Sequence, residues 1–273
     1  MRFEDAKTPE ELISSLKDCV TRLQNSYDNK PKYVYHYTRI ETARAIFKDK
    51  KWYLGSPSRM NDGLELLNIE DNASCNFCFT CFSEDKNENM GMWSMYAQPW
   101  SKGIILRIPF EKIKVWEKAK VNIYMSDPNT KECKKLITDA KLFFHRVAYV
   151  DTELNSDFKH SELSCGGQTN KVYSGNFVDE TLAGYIKNNA WDYEKELRLR
   201  VEINRKQELN AVVIDIPEDV LNSIDIITGP RCNLNILNDI RKNVDARFDN
   251  SRVLPSIFTG RLNWVYCDSC KRN

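Results

Sequence analysis

The run Trp191-Asp192-Tyr193-Glu194-Lys195-Glu196-Leu197-Arg198-Leu199-Arg200 decides how this chain is read. Taken as a strand, its two-residue period sets Glu194, Glu196, Arg198 and Arg200 on one face, with Trp191, Tyr193, Leu197 and Leu199 opposite or flanking. Four charges at alternate positions build a poor core and a good cleft wall. Two carboxylates beside a guanidinium can be held in different protonation or hydrogen-bonding states, which acid–base and cation-stabilising chemistry requires. The same row also suits a solvated edge strand carrying a charge ladder, because structural ion-pair networks share the pattern.

Working outward, Thr8-Pro9-Glu10-Glu11 has the N-cap threonine, first-turn proline and glutamate of a helix start. Leu12, Leu16, Cys19, Val20 and Leu23 then form one apolar stripe, predicting a helix that packs on the main body before Asp28-Asn29-Lys30-Pro31 ends it. Strands are expected at Tyr33–Tyr37, Trp52–Leu54, Phe77–Phe82, Gly103–Ile108, Arg146–Val150, Ala211–Ile216 and Ile224–Ile227. A second capping box at Thr38-Arg39-Ile40-Glu41 predicts a helix to about Lys50, and a short helix is expected from Met92 to Ala97. Further helices are expected over Lys131–Phe144, Val172–Asn188 and Asn233–Phe248, with a loop at Ser56–Gly63. The organisation expected is an α+β protein, with residues 1–30 as a helical arm and residues 31–273 as a single domain.

Composition narrows the function classes. The 40 basic and 39 acidic residues leave a net charge of +1, so no global pull toward nucleic acid or a membrane surface follows. No apolar run approaches the ~18 residues of a membrane span. The opening Met1-Arg2-Phe3-Glu4-Asp5 lacks the apolar core of a secretion signal. Nine cysteines, an odd number, fit a reducing compartment, and a cytoplasmic protein is expected. In Cys75-x-x-Cys78-x-x-Cys81 the strand period turns Cys78 away from the other two, which argues against a zinc site. Cys267-Asp-Ser-Cys270 is a better-spaced pair but has no second pair nearby, and only His36, His145 and His160 are available to complete one. No Walker loop, G-x-G-x-x-G, G-x-S-x-G or H-E-x-x-H occurs.

Three islands remain: Tyr35-His36-Tyr37-Thr38; Cys81-Phe82-Ser83-Glu84 leading to Met92-Trp93-Ser94-Met95-Tyr96-Ala97; and Trp191–Arg200. With Asn61-Asp62-Gly63-Leu64-Glu65 and Ile226-Ile227-Thr228-Gly229-Pro230, their order resembles the bacterial domain of unknown function 2971. A looser resemblance is to the H-Y-E pattern of the ADP-ribosyltransferase superfamily. It implies a mixed, largely antiparallel split β-sheet flanked by helices, with NAD as co-substrate. It implies that His36 and Thr38 hold NAD, that Tyr96 stacks on nicotinamide, and that Glu196 serves catalysis. Glu194 and Glu196 also have the E-x-E spacing that assigns the first glutamate to the acceptor in other branches. Tyr37 stands where those enzymes usually carry glycine and crowds the pocket. Trp93 and Ser94 on the tyrosine's helix complete the cofactor side, and Arg198 either orients Glu196 or meets the pyrophosphate.

The resemblance further implies a macromolecular acceptor (protein, DNA or RNA), a toxin or anti-phage role, and a possible antitoxin partner, with no membrane involved. Two other classes stay open. One is a non-catalytic module that binds a nucleotide or a partner through the same cleft. The other is a nucleic-acid-binding protein using Lys102, Arg107, Lys112 and Lys114. His36 also suits a satisfied core histidine, Trp93 and Tyr96 suit core packing, and Asn61-Asp62-Gly63 suits ordinary turn chemistry.

Overall fold

A computed structural model describes residues 9–25, 30–57, 76–126, 133–154, 160–165, 168–173, 182–203, 211–232, 238, 240, 242 and 252–261. The strands, in chain order, are β1 (Tyr33–Arg39), β2 (Lys51–Gly55), β3 (Phe77–Ser83), β4 (Gly103–Pro109), β5 (Ile123–Ser126), β6 (Cys133–Ile137), β7 (Ala140–Arg146) and β8 (Ala148–Leu154). After them come β9 (His160–Cys165), β10 (Gln168–Tyr173), β11 (Ile186–Asn188), β12 (Glu196–Ile203), β13 (Ala211–Asp215), β14 (Asp225–Thr228) and β15 (Val253–Pro255). The helices are α1 (Pro9–Asn25), α2 (Ile40–Asp49), α3 (Met90–Tyr96), α4 (Phe110–Lys118) and α5 (Glu218–Leu221). The protein is α+β, dominated by a large, mainly antiparallel sheet. None of the described helices is long and apolar enough to cross a membrane.

The large sheet forks at β3. One edge of β3 pairs with β12 from Glu196↔Ser83 to Glu202↔Phe77. The other edge registers with β1 at Tyr35↔Ser83 and with β2 at Gly55↔Phe79. From these two points β1 continues beside β4, and β2 beside β13. Four residues of β3, about 13 Å of strand, separate the two contacts. The fork therefore opens a gap in the sheet, with Cys81 at its centre. A second sheet, in the order β10-β9-β8-β11, lies beside the first.

β12 is the clearest departure from the sequence reading. It is a central strand, flanked by β3 and β7, and both of its faces are buried. Leu197, Leu199, Val201 and Ile203 join the main core. Glu196, Arg198 and Arg200 face the opposite way, under the segment Leu182–Asn188. The charge row is therefore neither an edge-strand ladder nor a solvated face. Glu194 lies outside the strand, at the end of a 3₁₀ helix (Asn189–Glu194), and Lys195 turns the chain in the left-handed region at φ 45°. Asn188 caps that helix by accepting from the Ala190 N–H at 2.8 Å, a local hydrogen bond that competes with strand extension.

Two expected helices are not helices. Lys131–Phe144 resolves, in its described part, into β6 and β7, where seven residues of β7 pair with β12 and outweigh the helical preference of the lysines. Val172–Asn188 begins in β10 and ends in β11, and Gly184 at φ 78° excludes a continuous helix. Residues 174–181, the loop motif Asn61–Glu65, Cys75, Cys267, Cys270 and most of the expected Asn233–Phe248 helix lie outside the described residues. The capping box at Thr38 also gives way. Thr38 stays in β1, Arg39 is the N-cap without a side-chain bond, and the Ile40 N–H donates to the Lys102 carbonyl at 3.0 Å. Helix α1 packs on β7, β8 and β10, and the Gln24 amide bonds both the carbonyl and the N–H of Arg146 (2.9 and 2.8 Å), as a neighbouring strand would.

Gly229, in the Ile226–Pro230 motif, is fixed by contact. Its N–H donates to the Gly103 carbonyl at 2.8 Å, and a Cβ there would lie 2.2 Å from the Trp100 carbonyl oxygen. Gly229→Ala is expected to lower stability by about 1–3 kcal/mol in urea denaturation. Gly55→Ala, with nothing within 4 Å of the added carbon, should stay within about 0.5 kcal/mol of wild type.

Candidate functional site

The fork houses a cavity of about 1000 Å³. Its walls take His36 and Tyr37 from β1, Trp52 from β2, Cys81 from β3 and Tyr96 from α3, and they include Lys187, Glu194 and Glu196. Residues 36, 96 and 196 are thus brought to one space by β1, α3 and β12.

His36 spans the gap between the diverging strands. Its Nδ1 donates to the Cys81 carbonyl at 2.8 Å, and its ring rests against Trp52 and Phe82 at centroid distances of 5.0 and 5.5 Å. Burial holds its pKa below the usual 6.5, only partly offset by the bond to Cys81, so the imidazole is neutral near pH 7. With Nδ1 donating, Nε2 is left as an acceptor. Tyr37 lies against Trp93 at 5.2 Å, and its hydroxyl accepts from the Asn89 N–H at 3.2 Å. Thr38 is buried and outside the cavity wall. Trp93 is fully buried with its indole N–H on Glu88 at 3.0 Å, and Ser94 is exposed on α3, away from the wall.

At the other wall five side chains form one hydrogen-bonded chain. The Tyr96 hydroxyl donates to Glu194 Oε1 at 2.5 Å, and Lys187 Nζ donates to Glu194 Oε2 at 2.6 Å and to Glu196 Oε2 at 3.4 Å. Arg198 then grips Glu196 with both arms, Nε to Oε1 at 2.8 Å and Nη2 to Oε2 at 2.9 Å. Its third nitrogen, Nη1, donates to the Gly184 carbonyl at 2.8 Å, and its guanidinium lies 4.2 Å over Phe79. Two cations and two carboxylates cancel here. All four are nearly inaccessible, Arg198 entirely so, and it stands behind the wall rather than in it.

Burial alone would raise the Glu196 pKa, but Arg198, Lys187 and the Cys81 thiol outweigh it and bring the carboxyl down to about 2. Burial and the bond to Glu194 both push the Tyr96 hydroxyl above its usual 10, so it remains a donor. Tyr149 fixes the start of β12 from behind, its hydroxyl accepting from the Glu196 N–H at 2.7 Å. Lys187 and Tyr149 escaped the sequence reading. Tyr185-Ile186-Lys187-Asn188 carries no local mark, and only the parallel pairing of β11 with β8 places the lysine between the glutamates.

The residues proposed for a nucleic-acid surface are each paired with a carboxylate: Lys102 with Glu41, Arg107 with Asp225, Lys112 with Asp219 and Lys114 with Glu117. Among the described residues no cluster of histidine, cysteine and carboxylates is placed to hold a metal ion.

Comparison with known proteins adds one finding. Residues 92–199 match the family described as "Protein of unknown function (DUF2971)". The match runs from α3 into β12, so it contains the Met92–Ala97 and Glu194–Arg198 motifs and stops short of those around His36 and Gly229. No curated protein and no solved structure matches the chain.

Two outcomes follow from the charge chain. Glu196 titrates near 2 when folded and near 4.5 when unfolded, so its stabilisation is complete above about pH 4.5 and lost as pH falls toward 2. In urea titrations from pH 6 to pH 2, Glu196→Gln should flatten the acid limb of the stability profile. Lys187→Met leaves two carboxylates facing one guanidinium and should cost about 3–5 kcal/mol at pH 7 in the same urea titrations.

Proposed function

We propose that this protein is an ADP-ribosyltransferase-like enzyme that uses NAD as co-substrate and modifies a macromolecular acceptor, a protein or a nucleic acid. The observation carrying this reading is the convergence of His36, Tyr96 and Glu196 on one cavity at the fork of a split sheet. The cavity's volume is at the upper end of the ~300–1000 Å³ usual for ligand sites, which suits a dinucleotide. Trp52, Phe79, Phe82 and Tyr96 supply flat surfaces for its rings. The neutral His36 has an acceptor for a ribose hydroxyl.

In the reaction, the bond between nicotinamide and its ribose breaks, and its electron pair leaves with nicotinamide. Positive charge develops on the sugar carbon as the leaving group departs, as in glycoside cleavage. Glu196, kept ionised by Arg198 and Lys187, stabilises that charge without reorganising. The acceptor's nucleophile forms the new bond to the same carbon and gives its proton to Glu194, the first glutamate of the E-x-E pair. Tyr96 holds Glu194 in place through its hydroxyl. A toxin or anti-phage role, with an antitoxin as partner, extends the same reading by family analogy.

A second reading has an observation of its own. Both oxygens of Glu196 are already engaged by Arg198 and Lys187, as in a purely structural ion-pair network. On that reading the protein is a non-catalytic module that binds a nucleotide or a partner through the cavity.

Release of nicotinamide from NAD, with water as the default acceptor, separates the two. Wild type is expected to release it, and Glu196→Gln to slow release by at least ~100-fold with NAD binding retained. No release by either protein would sink the enzyme reading. The binding module would then be marked by loss of NAD binding in Ala45→Trp, which fills the cavity from α2.

A further inference from the structure

Beyond the carboxylates, the cavity wall holds a second charged region at the α2–β2 junction, formed by Asp49 and Lys51. Of the two lysines in the wall, Lys187 is consumed by Glu194 and Glu196. Lys51 is not consumed in this way. Its ammonium lies 4.4 Å from the centroid of the Tyr124 ring, and no described carboxylate pairs with it, Asp49 included. The adjacent Lys50, by contrast, is paired with Glu218 at 2.9 Å. The backbone of Lys51 is fixed by its register with Asp215 on β13.

A cation held only by a ring is poised for exchange. A cation–π contact at a partly exposed site is weaker than a hydrogen bond to a charged group. An anionic ligand group therefore displaces Tyr124 favourably. The position also suits an extended ligand. Glu196 faces Ser83 at one end of the fork, and Lys51 lies back along β2 from the Gly55 contact at the other, both in the wall of the same cavity. A sugar reacting beside Glu196 would carry its phosphates away from Glu194 and Glu196 and toward the Lys51 ammonium, which pairs with no described carboxylate.

We propose that the cavity takes a ligand bearing a phosphate or pyrophosphate group, and that Lys51 is the side chain that contacts it. This deepens the nucleotide reading above and rests on the same cavity, but it does not require that the ligand be cleaved. Lys51 would be a binding residue, not a catalytic one.

Calorimetry with ADP and with adenosine, on wild type, Lys51→Met and Lys51→Arg, tests it. Wild type is expected to bind ADP at least 10-fold more tightly than adenosine. Lys51→Met should lose about 10-fold or more of the ADP affinity and keep that for adenosine, and Lys51→Arg should restore most of the loss. Lys51→Gln, with melting temperatures compared throughout, guards against a folding defect in the methionine variant. Equal ADP affinity in wild type and both neutral variants would overturn the inference, as would wild type binding ADP no better than adenosine. Lys51-dependent ADP binding in a protein that releases no nicotinamide would keep the inference and remove the transferase reading.

Discussion

The two-armed contact between Arg198 and Glu196 is the interaction on which the site depends. Neither charge tolerates burial alone, since an isolated ion in a protein interior is destabilising by several kcal/mol. Together they are bearable because further hydrogen bonds surround them. Gly184 lends its carbonyl to Arg198, Lys187 bridges to Glu194, and Tyr149 takes the Glu196 N–H. Most of these partners come from the segment that covers β12, so the second sheet and the charged strand must form together. Arg200 repeats the device one step along, stacked 3.6 Å over Phe77 and donating to the Ala183 carbonyl.

The fork at β3 gives that charge chain a space to face. Strands β1 and β2 cannot both follow the same edge of β3, so each pairs briefly and turns away. His36 bonds Cys81 across the opening, which explains a buried histidine without invoking catalysis. The same placement leaves its second nitrogen as an acceptor in a cavity with a pair of carboxylates. On the proposed function, structural and functional roles would coincide in this residue and in Glu196. The proposed chemistry with NAD would draw on a carboxylate held ionised, a tyrosine whose hydroxyl burial keeps protonated, a neutral imidazole and aromatic walls.

Much of this was legible in the residues. The apolar runs of Phe77–Phe82 and Gly103–Ile108, and the apolar stripe of α1, depend on neighbours within the same segment, and those elements formed. The Tyr35–Thr38, Met92–Ala97 and Trp191–Arg200 islands stood out by composition and yielded Tyr37, Tyr96, Glu194, Glu196 and His36 for the cavity wall. What failed did so through long-range pairing and through local turns that the alternation does not show. The lysines of Cys133–Phe144 favour a helix locally, but β12 offers β7 a full ladder of backbone bonds. The left-handed turn at Lys195 breaks a strand that its alternation predicts to be continuous. It carries Glu194 back toward Tyr96.

The sequence by itself determined the α+β character, the local elements with strong periodicity and the identity of most charged and aromatic groups at the site. These are properties of spacing along the chain. Tertiary structure alone decided that the charged strand is central and buried, that Lys187 stands between two glutamates, and that Arg198 supports the wall from behind. A buried charge is selected by partners far away in sequence, and desolvation depends on what covers it. Spacing along the chain encodes neither.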